Sequence, residues 1–114
     1  MDARISARPT GTASTTSVPP GLGGLAKLLK VLGHDGRLRL LWHLARGDRS
    51  VSELEALLGQ RQPAVSQQLA RLRRAGLVET RRKGKAIIYS LANGPTRPLV
   101  ERILAAIPTG SHPG

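Results

Sequence analysis

The segment Ser50–Gly76, SVSELEALLGQRQPAVSQQLARLRRAG, constrains the fold more than any other part of the chain. Ser50 stands three residues before Glu53, the spacing of a capping box, in which each side chain satisfies a free backbone N–H of the other. Val51, Leu54, Leu57 and Leu58 follow at helical spacing and are expected to face inward. Gly59 is a stop signal, since a residue without Cβ takes the left-handed conformation that closes a helix. The short link Gln60-Arg61-Gln62 leads to Pro63, which suits a first helical turn because no N–H is lost there. A second helix then carries Val65, Leu69 and Leu72 inward and stops at Gly76. Two short helices joined by so tight a turn form a helix-turn-helix.

The flanks extend this pattern. Upstream, Leu22, Leu25, Leu28, Leu29 and Leu32 make an apolar stripe at helical spacing. In HDGRLRLLWHLARG, Asp35 reads as an N-cap, Leu38, Leu41, Trp42 and Ala45 as one apolar side, and Gly47 as the stop. Downstream, LVETRR and AIIYSL flank KGK, two strand-like pieces with a glycine turn, which predicts a β-hairpin wing. A last helix places Leu99, Val100, Ile103, Leu104 and Ile107 on one stripe. The expected order is four helices, a hairpin and a fifth helix, a mainly α chain with a small β-hairpin (α+β) built as a winged helix-turn-helix. The folded domain is expected over residues 22–107. Residues 1–21, rich in Ser, Thr, Ala, Pro and Gly, read as a disordered arm, and residues 108–114 as a flexible tail.

Charge narrows the partner. Against 7 acidic residues the chain has 18 Lys and Arg, a net +11. Most of these are Arg, whose planar fork suits phosphate oxygens and guanine edges. Such an excess points to a polyanion, most often nucleic acid. There is no cysteine, hence no disulfide or thiol switch. No apolar run reaches the roughly 20 residues that span a bilayer, and no signal-peptide core is visible, so a cytoplasmic protein without membrane contact is expected.

At about 100° per residue, the side of the second helix opposite Val65, Leu69 and Leu72 carries Gln67, Arg71 and Arg74, with small residues between them and no carboxylate. Amides pair with adenine, guanidinium groups with guanine, and a methyl meets thymine in a major groove. Gln62, Ala64, Ser66 and Gln67 are therefore expected at base edges. Arg71, Arg74, Arg81, Arg82, Lys83 and Lys85 are expected on phosphates or in a minor groove. Ser66 reads equally well as a residue bonded within its own helix. Two other classes of function have different requirements. A non-specific basic nucleic-acid-binding or architectural protein would bind any duplex alike. An enzyme lacks support, because Glu53 and Glu55 diverge on their helix and no His–carboxylate–Ser set is visible.

The stretch LGHDGRLRLLWHLARGDRSVSELEALLGQRQPAVSQQLARLRRAGLVETRRKGKAIIYSL resembles the winged helix-turn-helix core of the ArsR/SmtB transcriptional repressors. SVSELE and RQP lean toward the branch of persulfide-sensing and biofilm-growth repressors. The resemblance implies a homodimer bridged by the first and last helices, through Leu22, Leu25, Leu29, Leu99, Ile103, Leu104 and Ile107. It also implies binding to double-stranded DNA at a palindromic operator and repression of transcription. The inducer sites of the family do not carry over. Its metal sensors have a Cys-x-Cys pair where this chain has Ser50 and Ser52, and others use His and carboxylate ligands on the last helix, where only Glu101 stands. Its persulfide sensors have a cysteine where this chain has Trp42. His34 and His43 point to opposite sides of any shared helix and read as a helix-end and a surface residue. No metal, no cofactor and no thiol sensing are expected, and the inducer is left open.

Overall fold

The computed structural model describes residues 21–107, and the expected arm and tail lie outside them except for Gly21. The elements are α1 (Gly21–Leu32), α2 (Asp35–Ala45), β1 (Arg49–Ser50), α3 (Val51–Leu58), α4 (Gln62–Arg74), β2 (Val78–Lys83), β3 (Ala86–Leu91) and α5 (Arg97–Ala105). Five helices and a three-stranded antiparallel sheet make a winged helix-turn-helix. The chain divides into two compact units, with the boundary in sequence between Lys30 and Val31. In the first, α1 is amphipathic, with Leu25 and Leu28 half-buried and Leu22 and Leu29 exposed.

The second unit holds the core. Leu54 from α3 and Val65, Leu69 and Leu72 from α4 are completely buried, the last three as their spacing predicts. Leu40, Leu41 and Leu44 of α2 join them, with Leu77, Val78, Leu91, Val100 and Leu104. Two expectations fail here. On α2 the inward stripe runs through Leu40, Leu41 and Leu44, whereas Leu38 and Trp42 are half-buried and Ala45 is exposed. The helix packs on α3, α4 and β3 together, so its covered arc is wider and rotated from the side first chosen. On α3, Leu57 is 46% exposed although it was expected inside. It lies about 60° around the helix from Leu54, beyond the arc that its neighbours cover.

Helix ends follow local chemistry. The capping box is formed: Ser50 Oγ accepts the Glu53 N–H at 3.2 Å, and Glu53 Oε1 accepts the Ser50 N–H at 2.8 Å. Gly59 closes α3 with φ 65, in the left-handed region. Asp35, by contrast, is not the cap of α2. His34 takes the extended backbone (φ −134, ψ 123), and its Nδ1 accepts the Gly36 N–H at 3.1 Å. Asp35 is instead the first helical residue, where its charge suits the helix dipole and its carboxylate meets Arg39 at 2.7 Å.

The wing is larger than a hairpin. β2 and β3 pair from Val78↔Leu91 to Lys83↔Ala86 around a two-residue turn, whose first residue, Gly84, has φ 64. β3 also pairs with β1 through Arg49↔Tyr89 and Ser50↔Ile88, which makes β3 the central strand. Two strands alone are marginal in water, and the third anchors the wing to the start of α3.

Candidate nucleic-acid interface

The helix α4 is held by its apolar side and leaves the other side to solvent. With Val65, Leu69 and Leu72 at 0% exposure, Gln62, Pro63, Ala64, Gln67, Ala70, Arg71 and Arg74 are all exposed, and Ser66 is half-buried. There is no acid in α4, and Arg71, Arg73 and Arg74 occupy its last turn, where cations favour the helix dipole. At its start Arg61 makes no side-chain cap, but its carbonyl accepts the Ala64 and Val65 N–H groups at 3.1 and 3.2 Å. Pro63 lies in the first turn, as its missing N–H allows.

The expected wing residues divide by face. Residues opposite one another across the ladder share a face, so Val78, Thr80 and Arg82 lie with Leu91, Tyr89 and Ile87. Arg81 lies on the other face, where its guanidinium donates to Asp48 Oδ2 at 2.7 Å. A polar cleft of about 410 Å³ surrounds that pair, with Glu79, Ser90, Asn93 and Arg97 on its walls. Arg81, expected on a phosphate, therefore has a carboxylate partner of its own. Arg82, Lys83 and Lys85 are exposed around the turn and have no ion-pair partner among the described residues, nor have Arg71 and Arg74.

Residues expected at a dimer surface also divide. Leu22, Leu29, Leu99 and Ile107 are exposed at 38–49%, and Leu25 and Ile103 are half-buried. Leu104 is 6% exposed and belongs to the protomer's own core. Its expected place at the surface is corrected, since α5 turns Val100 and Leu104 inward one turn apart.

No group of three or more His, Cys, Asp and Glu that could hold a metal occurs among the described residues. Ser50 is engaged in its capping box, and His34 caps α2. Trp42 stands edge-on to His43, ring centroids 5.2 Å apart, and the Arg46 guanidinium lies 4.4 Å from a Trp42 ring centroid. The two form an open cleft of about 280 Å³ with Ala45, Glu101, Leu104 and Ala105. The His43 pKa is lowered, first by partial burial and then by the charges of Arg49 and Arg46. Sequence reasoning missed Arg37, which reaches from α2 both to the Val31 carbonyl and to Gln68 on α4. A half-buried arginine three residues into a helix gives no periodic signal.

Comparison with known proteins agrees with this geometry. The family described as bacterial regulatory protein, arsR family, matches residues 34–80. The biofilm growth-associated repressor of Agrobacterium fabrum is 52% identical over 81 residues, which cover 71% of this chain and 69% of that protein. Among solved structures, the transcriptional repressor BigR from Xylella fastidiosa superposes with a TM-score of 0.74 at 40% identity, covering 82% of this chain and 92% of that one. The homodimeric winged helix-turn-helix DNA-binding domain Mb0332 from Mycobacterium bovis gives 0.63 at 28% identity, covering 88% and 85%. With a reading helix free of acid, a basic wing and these relatives, the chain belongs to the arsR family of bacterial regulatory proteins and is a DNA-binding transcription regulator.

Proposed function

We propose that the chain is a homodimeric repressor that reads a palindromic operator with a pair of α4 helices. One observation carries the reading: α4 buries Val65, Leu69 and Leu72 completely while its amide and guanidinium face stays open. Gln62, Ala64, Ser66 and Gln67, in the first part of α4, then meet base edges. Arg71 and Arg74 meet phosphates, as do Arg82, Lys83 and Lys85 of the wing. Arg81 contributes through the field it shares with Asp48. Of the exposed large apolar side chains, Leu22 and Leu29 on α1 and, separately, Leu99 on α5 and Ile107 just after it are the ones assigned to a second copy. In a two-fold dimer the two reading helices enter successive major grooves roughly 34–36 Å apart.

Selection of bound duplexes from random sequence, followed by titration of the winner and a scrambled control, tests this. A two-fold symmetric site is expected. Affinity should fall by about 10³–10⁵ between 50 and 200 mM salt if some 6–10 phosphates are neutralised. Gln67→Ala should reduce the preference for the selected site by about 1–3 kcal/mol at one base pair, and Lys83→Ala should weaken all duplexes alike. Equal affinity of the wild-type protein for selected and scrambled DNA would instead favour a non-specific architectural protein.

A further inference from the structure

Gln68 lies on the flank of α4 that adjoins Ala64 and Arg71, four residues before and three after it on the helix. Both neighbours are exposed, and Gln68 itself is half-buried. Its side-chain amide is not free to choose an orientation. The Arg37 NH1 donates to Gln68 Oε1 at 3.1 Å, across 31 residues of sequence. Arg37 is itself held by its Nε–H, which donates to the Val31 carbonyl at 2.6 Å. A guanidinium has five N–H donors and no acceptor. The amide must therefore turn its oxygen to Arg37, and its NH₂ group away from it. A glutamine anchored in this way presents its NH₂ donors, rather than its oxygen, to whatever lies outside.

We infer that Gln68, oriented by Arg37, is a further DNA-contacting residue that acts through its NH₂ donors, toward a phosphate oxygen or an acceptor edge such as guanine O6 or N7. Arg37 is its positioning residue. The inference rests on the reading of α4 as the helix that enters DNA. It separates Gln68 from Gln67, which has no such anchor among the described residues and keeps both its donor and its acceptor for a bidentate pair with adenine. Since Arg37 fixes the direction of Gln68 Oε1, the amide cannot turn both its oxygen and its NH₂ onto one adenine edge.

Titration of wild-type protein and three variants against the selected duplex and its base-pair substitutions tests the inference. Gln68→Met keeps the length of the side chain and removes the donor. It should lose about two- to tenfold in affinity per reading helix. Gln68→Glu retains the bond from Arg37, now charge-assisted, so its melting temperature should equal or exceed that of the wild type while its DNA affinity falls further. Arg37→Lys cannot span both acceptors. It should let the amide turn over, which lowers affinity for all duplexes if the partner is a phosphate and lets bases offering a donor be tolerated if it is a base edge. Loss that is equal on all duplexes assigns a phosphate as the partner, and loss confined to one base pair assigns a base edge; either supports the inference. Gln68→Met binding every duplex within experimental error of the wild type would overturn it, as would an Arg37→Lys protein that matches the wild type in both duplex affinity and selection profile. Failure of the wild-type protein to bind duplex DNA would instead overturn the reading of α4 as a whole.

Discussion

The α3 helix offers a sharp test of how this small core is built, because Leu54 and Leu57 are chemically identical, one turn apart, and differently placed. Leu54 is completely buried and Leu57 is 46% exposed. Leu54→Ala removes three carbons from a packed site that α3 and its neighbours cannot fully close. Such substitutions cost about 3–5 kcal/mol, the transfer term plus a cavity term. Leu57→Ala leaves no cavity and removes only a half-covered side chain, which is about 1.5 kcal/mol at most when half of a full Leu burial of roughly 1.5–3 kcal/mol is counted. The better helix propensity of Ala offsets a further few tenths. A domain of this size has a total stability of about 4–13 kcal/mol, so Leu54→Ala should remove about a quarter of it or more, with a fall in melting temperature of about 12 °C or greater. Urea unfolding followed by circular dichroism, at one fixed protein concentration because a dimer's stability depends on it, reads both values. Equal losses in the two variants, or a larger loss for Leu57→Ala, would refute the placement of α3 and with it the support beneath α4.

Three further outcomes are expected. Ser50→Ala should cost about 1 kcal/mol by opening the capping box at Glu53, and Ser50→Asp should restore most of it, both read by the same unfolding curves. The lowered pKa of His43 makes the folded protein resist a proton that the unfolded chain accepts near pH 6.5, so this residue lowers stability as pH falls through 6.5 and has no effect well above it. Unfolding of wild type and His43→Gln between pH 8 and 5 should show the wild type losing stability relative to the variant on acidification; parallel curves would exclude the effect. Asp48→Asn should release Arg81 from its exposed ion pair with little change in stability and raise affinity for duplex DNA at low salt, as fluorescence anisotropy would show. Unchanged affinity would mean that Arg81 lies outside the field of the bound duplex.

Much of the candidate interface was legible because helix spacing and end signals are local. Val65, Leu69 and Leu72 define the buried side of α4 from their spacing alone, and that assignment by itself exposes Gln67, Arg71 and Arg74. The cap at Ser50 and the turns at Gly59 and Gly84 rest on single residues whose chemistry acts within a few positions. The cap of α2 was misread because Asp35 and His34 are adjacent and both can accept a backbone N–H. Leu104 and Leu57 were misplaced for a related reason: a stripe of leucines tells which residues share a side, and not how far around the helix the neighbours reach.

The amino-acid sequence alone determined the order of helices and wing, the polarity of α4 and the polyanionic character of the partner, since these follow from periodicity, capping and charge summed along the chain. Only the tertiary structure decided that Arg49–Ser50 joins β3, that Asp48 holds Arg81, and that Arg37 turns the amide of Gln68. Each of these joins residues more than thirty positions apart through one or two hydrogen bonds, and such bonds exist only after packing has brought the partners within about 3 Å.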